Sequence, residues 1–401
     1  MAKPDLIYLV HRMPYPPDKG DKIRSYHILQ HLLRHYRVHL GCFVDDPRDM
    51  QHLGTLQELC ASVFVRPLRP LVAKALSARA FLSGGALSVV YYRDAGFRNW
   101  VSTVLEEKDI RAAVVFSSPM AQYLRGRQPF ARIMDFVDVD SDKWQQYADS
   151  KRGLARWFYG REARKLLTFE REIAEEFDAS VFVSPHETEL FSEIAPSSRD
   201  RHYAICNGVD YGYFDPDIDQ ENPFEKSDRP IVFTGMMDYW PNIDAVAWFA
   251  TEVFPLVRQE QPDASFWVVG GAPTQEVKDL ARLPCVTVTG RVPDVRPYLK
   301  SAAVVVAPLR VARGIQNKVL EALSMGKPVV CTSAAAAGLE NLPADAVWTT
   351  DKPEELAANI RAAGSSNEHK VRQAARGYVI DQYDWQKNLA LIDSLLGGHQ
   401  R

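Results

Sequence analysis

Cysteine is scarce, and the five present (Cys42, Cys60, Cys206, Cys285, Cys331) include no pair at metal-ligand spacing. That argues against a structural zinc site and predicts reduced, buried thiols in a cytoplasmic protein. Charge of one sign is lacking too. With 48 basic and 51 acidic residues the net is −3, which gives no general nucleic-acid or membrane signal. No stretch of about 18 apolar residues is present to cross a bilayer. The start, Met1-Ala2-Lys3-Pro4-Asp5, leads straight into a strand rather than through a secretory leader. A soluble protein is expected, still free to sit on a membrane surface. No Gly-x-Gly-x-x-Gly follows any apolar strand run, which disfavours a dinucleotide-dependent dehydrogenase.

What is present is an alternation of strand and helix patterns over 401 residues, long enough for two α/β domains with separate cores. The most informative stretch is 303–330. Residues 303–309 form an apolar run that reads as a buried parallel strand, and 329–332 reads as the next strand. Between them a glycine loop (Arg313, Gly314, Ile315, Gln316) feeds a helix starting near Gln316, with Val319, Leu320 and Leu323 as its inward stripe. Gly326 closes it. A helix N-terminus directs free N–H groups and a positive dipole end at an anion. Arg313 and Lys318 add charge there, and Glu321, one turn past Asn317, can bring a carboxylate suited to a sugar diol. The pattern fits a pocket for a nucleoside diphosphate with its ribose. It also fits an ordinary strand–loop–helix crossover with solvated charges.

The run resembles the donor-site helix of retaining glycosyltransferases of the GT-B fold, the large family-four group, and in particular a bacterial exopolysaccharide-associated branch. The shared residues are Pro308-Leu309-Arg310 and Arg313-Gly314-Ile315-Gln316-Asn317-Lys318. The resemblance implies two Rossmann-like domains facing across a cleft, donor on the C-terminal side and acceptor on the N-terminal side. It implies no metal and no cofactor, with a UDP- or GDP-sugar as substrate. In that family two glutamates with seven residues between them bracket this segment. Glu321 matches the second and by resemblance holds the ribose; Arg313 stands where the first would be. With Lys318 and Asp138, these two are the expected catalytic residues. Relatives also carry an arginine and a lysine shortly after the strand ending at Gly235, where this chain has Met236 and Asp238. Backbone N–H groups, Lys318 and Arg313 must then meet the phosphates. Gly290-Arg291-Val292 by resemblance meets the nucleobase, through Arg291 and Val292.

In the N-terminal half, strand 6–10 runs into an eleven-residue loop, His11 to Asp21, whose three prolines forbid helix. By resemblance this loop faces donor and acceptor, with Asp18 and Lys19 on the acceptor side and Gly20 permitting close approach. Ser117 and Ser118 end another strand and either meet the acceptor or cap the next helix. Asp138 and Asp140 either line the cleft, one taking the acceptor's proton, or serve loop and cap chemistry. A metal-binding Asp-x-Asp is the weaker reading. Residues 151–171 carry seven basic against two acidic side chains, with Trp157, Phe158 and Tyr159 interleaved. This is either a lipid-facing surface or a helix with solvated charges. The apolar stretch 71–92 is a second candidate lipid-facing surface. Domain limits are placed at 217 and 380, with a final helix from 381 crossing back to the first domain. The expected activity is sugar transfer from a nucleotide donor to a glycan or lipid-linked saccharide. A sugar-nucleotide epimerase or hydrolase and a non-catalytic partner subunit are the alternatives.

Overall fold

The computed structural model describes residues 3–17, 20–68, 84–225, 228–312 and 314–397. The chain divides into two compact units. One comprises Met1–Cys206 with Gln386–Arg401, the other Asn207–Trp385.

The first unit is built on seven parallel strands: β1 (Asp5–Val10), β2 (Arg37–Val44), β3 (Ser62–Pro67), β4 (Ile110–Phe116), β5 (Ala131–Val137), β6 (Ala179–Phe182) and β7 (His202–Ala204), in the order β3-β2-β1-β4-β5-β6-β7. Leu6 to Val10 are wholly buried because helices cover both faces, as the continuous apolar runs require. Helix α1 (Gly20–His35) follows β1. Its Arg24 forms a buried ion pair with Asp135 of β5 at 2.8 Å and donates to the Ile205 carbonyl. Burial pushes the Asp135 carboxyl up, and Arg24 opposes that. After β5 come α2 (Asp140–Ser150) and α3 (Gly153–Glu176), a helical hairpin.

The second unit holds β8 (Arg229–Thr234), β9 (Ala264–Val269), β10 (Val286–Gly290), β11 (Val304–Ala307), β12 (Val329–Cys331) and β13 (Val347–Thr349), parallel and ordered β10-β9-β8-β11-β12-β13. Counted from each unit's first strand, both sheets run 3-2-1-4-5-6, the doubly wound Rossmann order, and the first adds a seventh strand at its edge. Helix α4 (Trp240–Trp248) follows β8, and α5 (Asn317–Ser324) follows β11. The closing helix α6 (Trp385–Gly397) lies almost entirely with the first unit, where its Asp393 meets His31 of α1 at 3.1 Å.

Several boundaries differ from the sequence reading. The division lies at Cys206–Asn207 and Trp385–Gln386, not at 217 and 380, because residues 207–217 pack on the second core. Val209 bridges to Asp384, and the Phe214 carbonyl accepts from Ser324 and Arg376. The three-residue edge strands β7 and β13 are too short to leave a pattern. Helix α4 starts at Trp240, with Pro241 in its first turn. It passes into a π turn, Phe249–Val253, ahead of Pro255, whose missing N–H breaks the regular ladder. Of the cysteines, Cys42, Cys60 and Cys331 are buried and Cys285 is exposed. The apolar stretch 71–92 falls outside the described residues as far as position 83.

Candidate functional site

In an open parallel sheet a ligand crevice forms outside the carboxyl ends of the strands where the order reverses. In the second unit that place is between β8 and β11. Glycine clears it. A Cβ on Gly270, just past β9, would lie 1.7 Å from the Gly235 carbonyl oxygen, so these strand ends stack backbone on backbone. Gly235 donates to the Val269 carbonyl at 3.1 Å, and Gly270 to Gly290 at 3.3 Å. After β11 the loop turns at Gly314 in the left-handed region (φ 59°). A Cβ on Gly338 would stand 2.4 Å from the Gly314 carbonyl oxygen, so that loop too rests on bare backbone.

The loop delivers α5. Val319, Leu320, Ala322 and Leu323 are its buried face. Its C-terminus closes as a Schellman turn, Lys327 N–H to the Ala322 carbonyl and Gly326 N–H to Leu323, with Gly326 at φ 68°. At the other end Gln316 stands at the cap position, and among the described residues its side chain does not cap the helix; a helix start of this kind offers N–H groups to an anion. The Lys318 side chain curls back under Gly235. Its Nζ donates to Asn242 Oδ1 at 2.6 Å and sits 4.0 Å above the Phe233 ring. Asn242 Nδ2 in turn donates to the Met236 carbonyl, which fixes the amide's orientation. Burial lowers the Lys318 ammonium to about 7, opposed by Glu321; burial raises Glu321 to about 7, opposed by Lys318. The Asn317 Oδ1 and Thr234 Oγ1 atoms are buried with no hydrogen-bond partner among the described residues.

Gly235, Gly314, Ile315, Gln316, Asn317, Lys318 and Glu321 therefore belong to this one crevice. Arg291 is exposed, with its Nε 3.6 Å from where a Gly271 Cβ would stand, while Val292 packs on the core. Arg313, Asp18 and Lys19 lie outside the described residues. Arg310 turns away to pair with Asp244. Asn242 is the addition. Its sign in sequence is a polar amide in the first turn of α4, a helix that is apolar but for Asn242 and Asp244.

The first unit has its own cluster at the carboxyl ends of β1, β2 and β4. Asp21, one residue after Gly20, accepts from Arg12 Nη1 at 2.9 Å and lies 3.3 Å from His11 Nε2. Burial alone would raise its carboxyl, yet His11 and Arg12 hold it well below the usual carboxylate range. Arg12 Nε also meets Asp45 at 3.0 Å, and the His11 ring stacks on Phe116. Ser117 stands in the left-handed region (φ 73°) at the end of β4, and Val137, a β-branched residue, does so at the end of β5 (φ 72°). Strain of this kind persists only where surrounding structure enforces it, and it gathers at ligand sites. Ser117 caps nothing with its side chain, and Ser118 Oγ is buried without a partner among the described residues. Asp138 and Asp140 share the Lys143 ammonium, at 2.6 and 3.2 Å. Among the described residues no three His, Cys, Asp or Glu side chains gather as a metal site.

Residues 228–365 match the family of glycosyl transferases group 1. Among curated proteins none matches the sequence. Solved structures share the fold over almost the whole length. Sucrose-phosphate synthase from Thermosynechococcus elongatus has 16% identity, 99% of each chain covered and a TM-score of 0.67. A glycosyltransferase from Rickettsia africae has 14% identity, 99% of each chain covered and a TM-score of 0.65. HepE from Anabaena, in complex with UDP-glucose, has 15% identity, with 98% of this chain and 99% of its own covered and a TM-score of 0.62. The fold is GT-B, two Rossmann-like units.

Proposed function

We propose that this chain is a glycosyltransferase that moves a sugar from a nucleoside-diphosphate donor to an acceptor hydroxyl. The observation that carries the reading is the Lys318–Asn242 pair beneath Gly235, at the uncapped start of α5, inside the segment that matches glycosyl transferases group 1. Breaking the bond to a nucleoside diphosphate develops negative charge on the departing phosphate. Stabilisation counts most where charge develops. The N–H groups from Asn317 onward and the Lys318 ammonium answer that charge, with Arg313 a further cation by its position in the loop. Glu321 offers the ribose hydroxyls a carboxylate. Gly235 and Gly314 keep the backbone close to the phosphates, and Arg291 serves the nucleobase side.

A UDP- or GDP-sugar is the proposed donor; the UDP-glucose complex of HepE supports the former. Retention of anomeric configuration, independence of metal and a place in bacterial exopolysaccharide assembly are part of the same reading. They rest on the family likeness of the 308–318 segment. The first unit, through Asp21, Arg12 and Ser117, takes the acceptor, a glycan or a lipid-linked saccharide. In the latter case the 151–171 surface would face the membrane.

Lys318→Ala is expected to lose most turnover in a donor-consumption assay, and wild-type activity in that variant would remove Lys318 from the mechanism. Sugar transfer that requires an added acceptor separates this reading from an epimerase or hydrolase. Absence of any sugar-nucleotide binding by calorimetry would favour a non-catalytic partner subunit.

A further inference from the structure

The end of the α2–α3 hairpin exposes what folded chains usually cover. Leu154 is 87% exposed, Trp157 57% and Tyr147 56%, three large apolar side chains within eleven residues. Cations surround them: Lys151, Arg152, Arg156, Arg164 and Lys165 are all exposed. The two acids of 151–171 are turned inward. Glu162 is fully buried, accepting from the Leu87 and Ser88 N–H groups and the Ser88 hydroxyl, and Glu170 is 1% exposed. Arg161 also points in, to the Gly85 carbonyl. Folding thus sorts a mixed sequence into a surface of one sign, with Asp149 of α2 as its exposed acidic neighbour. A groove of about 320 Å³ opens between the helices, lined by Gln145, Arg156, Trp157 and Arg164 over Gly160.

We infer that this hairpin end is a docking surface for an anionic phospholipid membrane. Leu154, Trp157 and Tyr147 enter the headgroup region, and Arg156 and Arg164 take a lipid phosphate in the groove. Apolar side chains at a tip ringed by cations suit an interface that is apolar below and negatively charged above. The inference deepens the lipid-linked acceptor reading and rests on it for its use in the cell, while the binding itself is testable without turnover.

Co-sedimentation of the full chain with vesicles tests it, using phosphatidylcholine alone and phosphatidylcholine with phosphatidylglycerol at about 0.1 M salt, where surface charges still act over roughly 10 Å. Wild type is expected to sediment with the anionic vesicles only, and to be released by high salt. Leu154→Ser with Trp157→Ala should weaken that binding about tenfold or more, and Arg156→Glu with Arg164→Glu should abolish it. Thermal melting of both variants should match wild type, since every changed side chain is exposed. No binding to anionic vesicles, equal binding to neutral ones, or variants that bind like wild type would overturn the inference. Donor consumption with a soluble acceptor remains a separate readout, so failure here leaves the transferase reading to its own test.

Discussion

Lys318 is placed where a bound anion changes its charge. Near neutrality its burial favours the free amine, and a diphosphate beside it favours the ammonium. Binding of a nucleoside diphosphate at about pH 8 should therefore take up a proton, read by calorimetry in two buffers of different ionisation heat. Lys318→Met should remove the uptake; an unchanged value would assign the proton elsewhere. Asn242→Asp puts a carboxylate where the amide oxygen stands 2.6 Å from Nζ. The alkaline limb of kcat/KM, expected near 7 in the wild type from the ammonium's loss, should move up by about one unit or more. A limb that stays put would leave Asn242 a packing role only. Glu170 tests a different burial. Its carboxyl is pushed up to about 8 by desolvation and then by the Asp140 charge, with Ser141 and Lys143 offsetting part. Because the folded value exceeds the unfolded one, its contribution is intact below the ordinary glutamate range and is lost as pH rises to about 8. Glu170→Gln should flatten that decline and add on the order of 2 kcal/mol at pH 7 in urea unfolding. At this scale Lys318 and Glu321 were legible as candidates from a local loop–helix pattern, and the roles proposed for them build on it. Asn242 stayed hidden because its partner lies 76 residues away. A lone asparagine in the first turn of a helix reads as a cap.

Helix α5 was legible almost to the residue, because everything that bounds it is local: the glycine loop before it, the apolar stripe within it and Gly326 after it. What no pattern carried is the backbone seat under the loop. Gly338→Ala must displace Gly314, since the new Cβ would meet its carbonyl at 2.4 Å. Nucleoside-diphosphate affinity should fall about tenfold, roughly 1.4 kcal/mol, with a melting temperature lower by only about 2–4 °C. Unchanged affinity would show that the loop's position does not matter to the ligand. The aspartates after β5 teach the converse. Their spacing marks a carboxylate pair, but spacing cannot say which cation folds back on them, and Lys143 does.

Two α/β units are what the alternation of strand and helix patterns led one to expect; their Rossmann-like character was implied by the family resemblance. The shift of their border followed from side chains, Val209, Tyr211 and Phe214, that pack on the second core rather than from any linker composition. The division of labour between the units is open to a direct check. Asp21→Asn removes the carboxylate that gathers His11 and Arg12 in the first unit. It should leave nucleoside-diphosphate affinity unchanged while lowering kcat/KM for the acceptor by about tenfold or more. Equal loss of nucleotide binding would contradict it. The most direct measurement on the whole account is a crystal structure of the chain soaked with a nucleoside diphosphate. Diphosphate density is expected at the start of α5, with Lys318 turned from Asn242 toward it and the ribose at Glu321. Density confined to any other place, with Lys318 still hydrogen-bonded to Asn242, would contradict it.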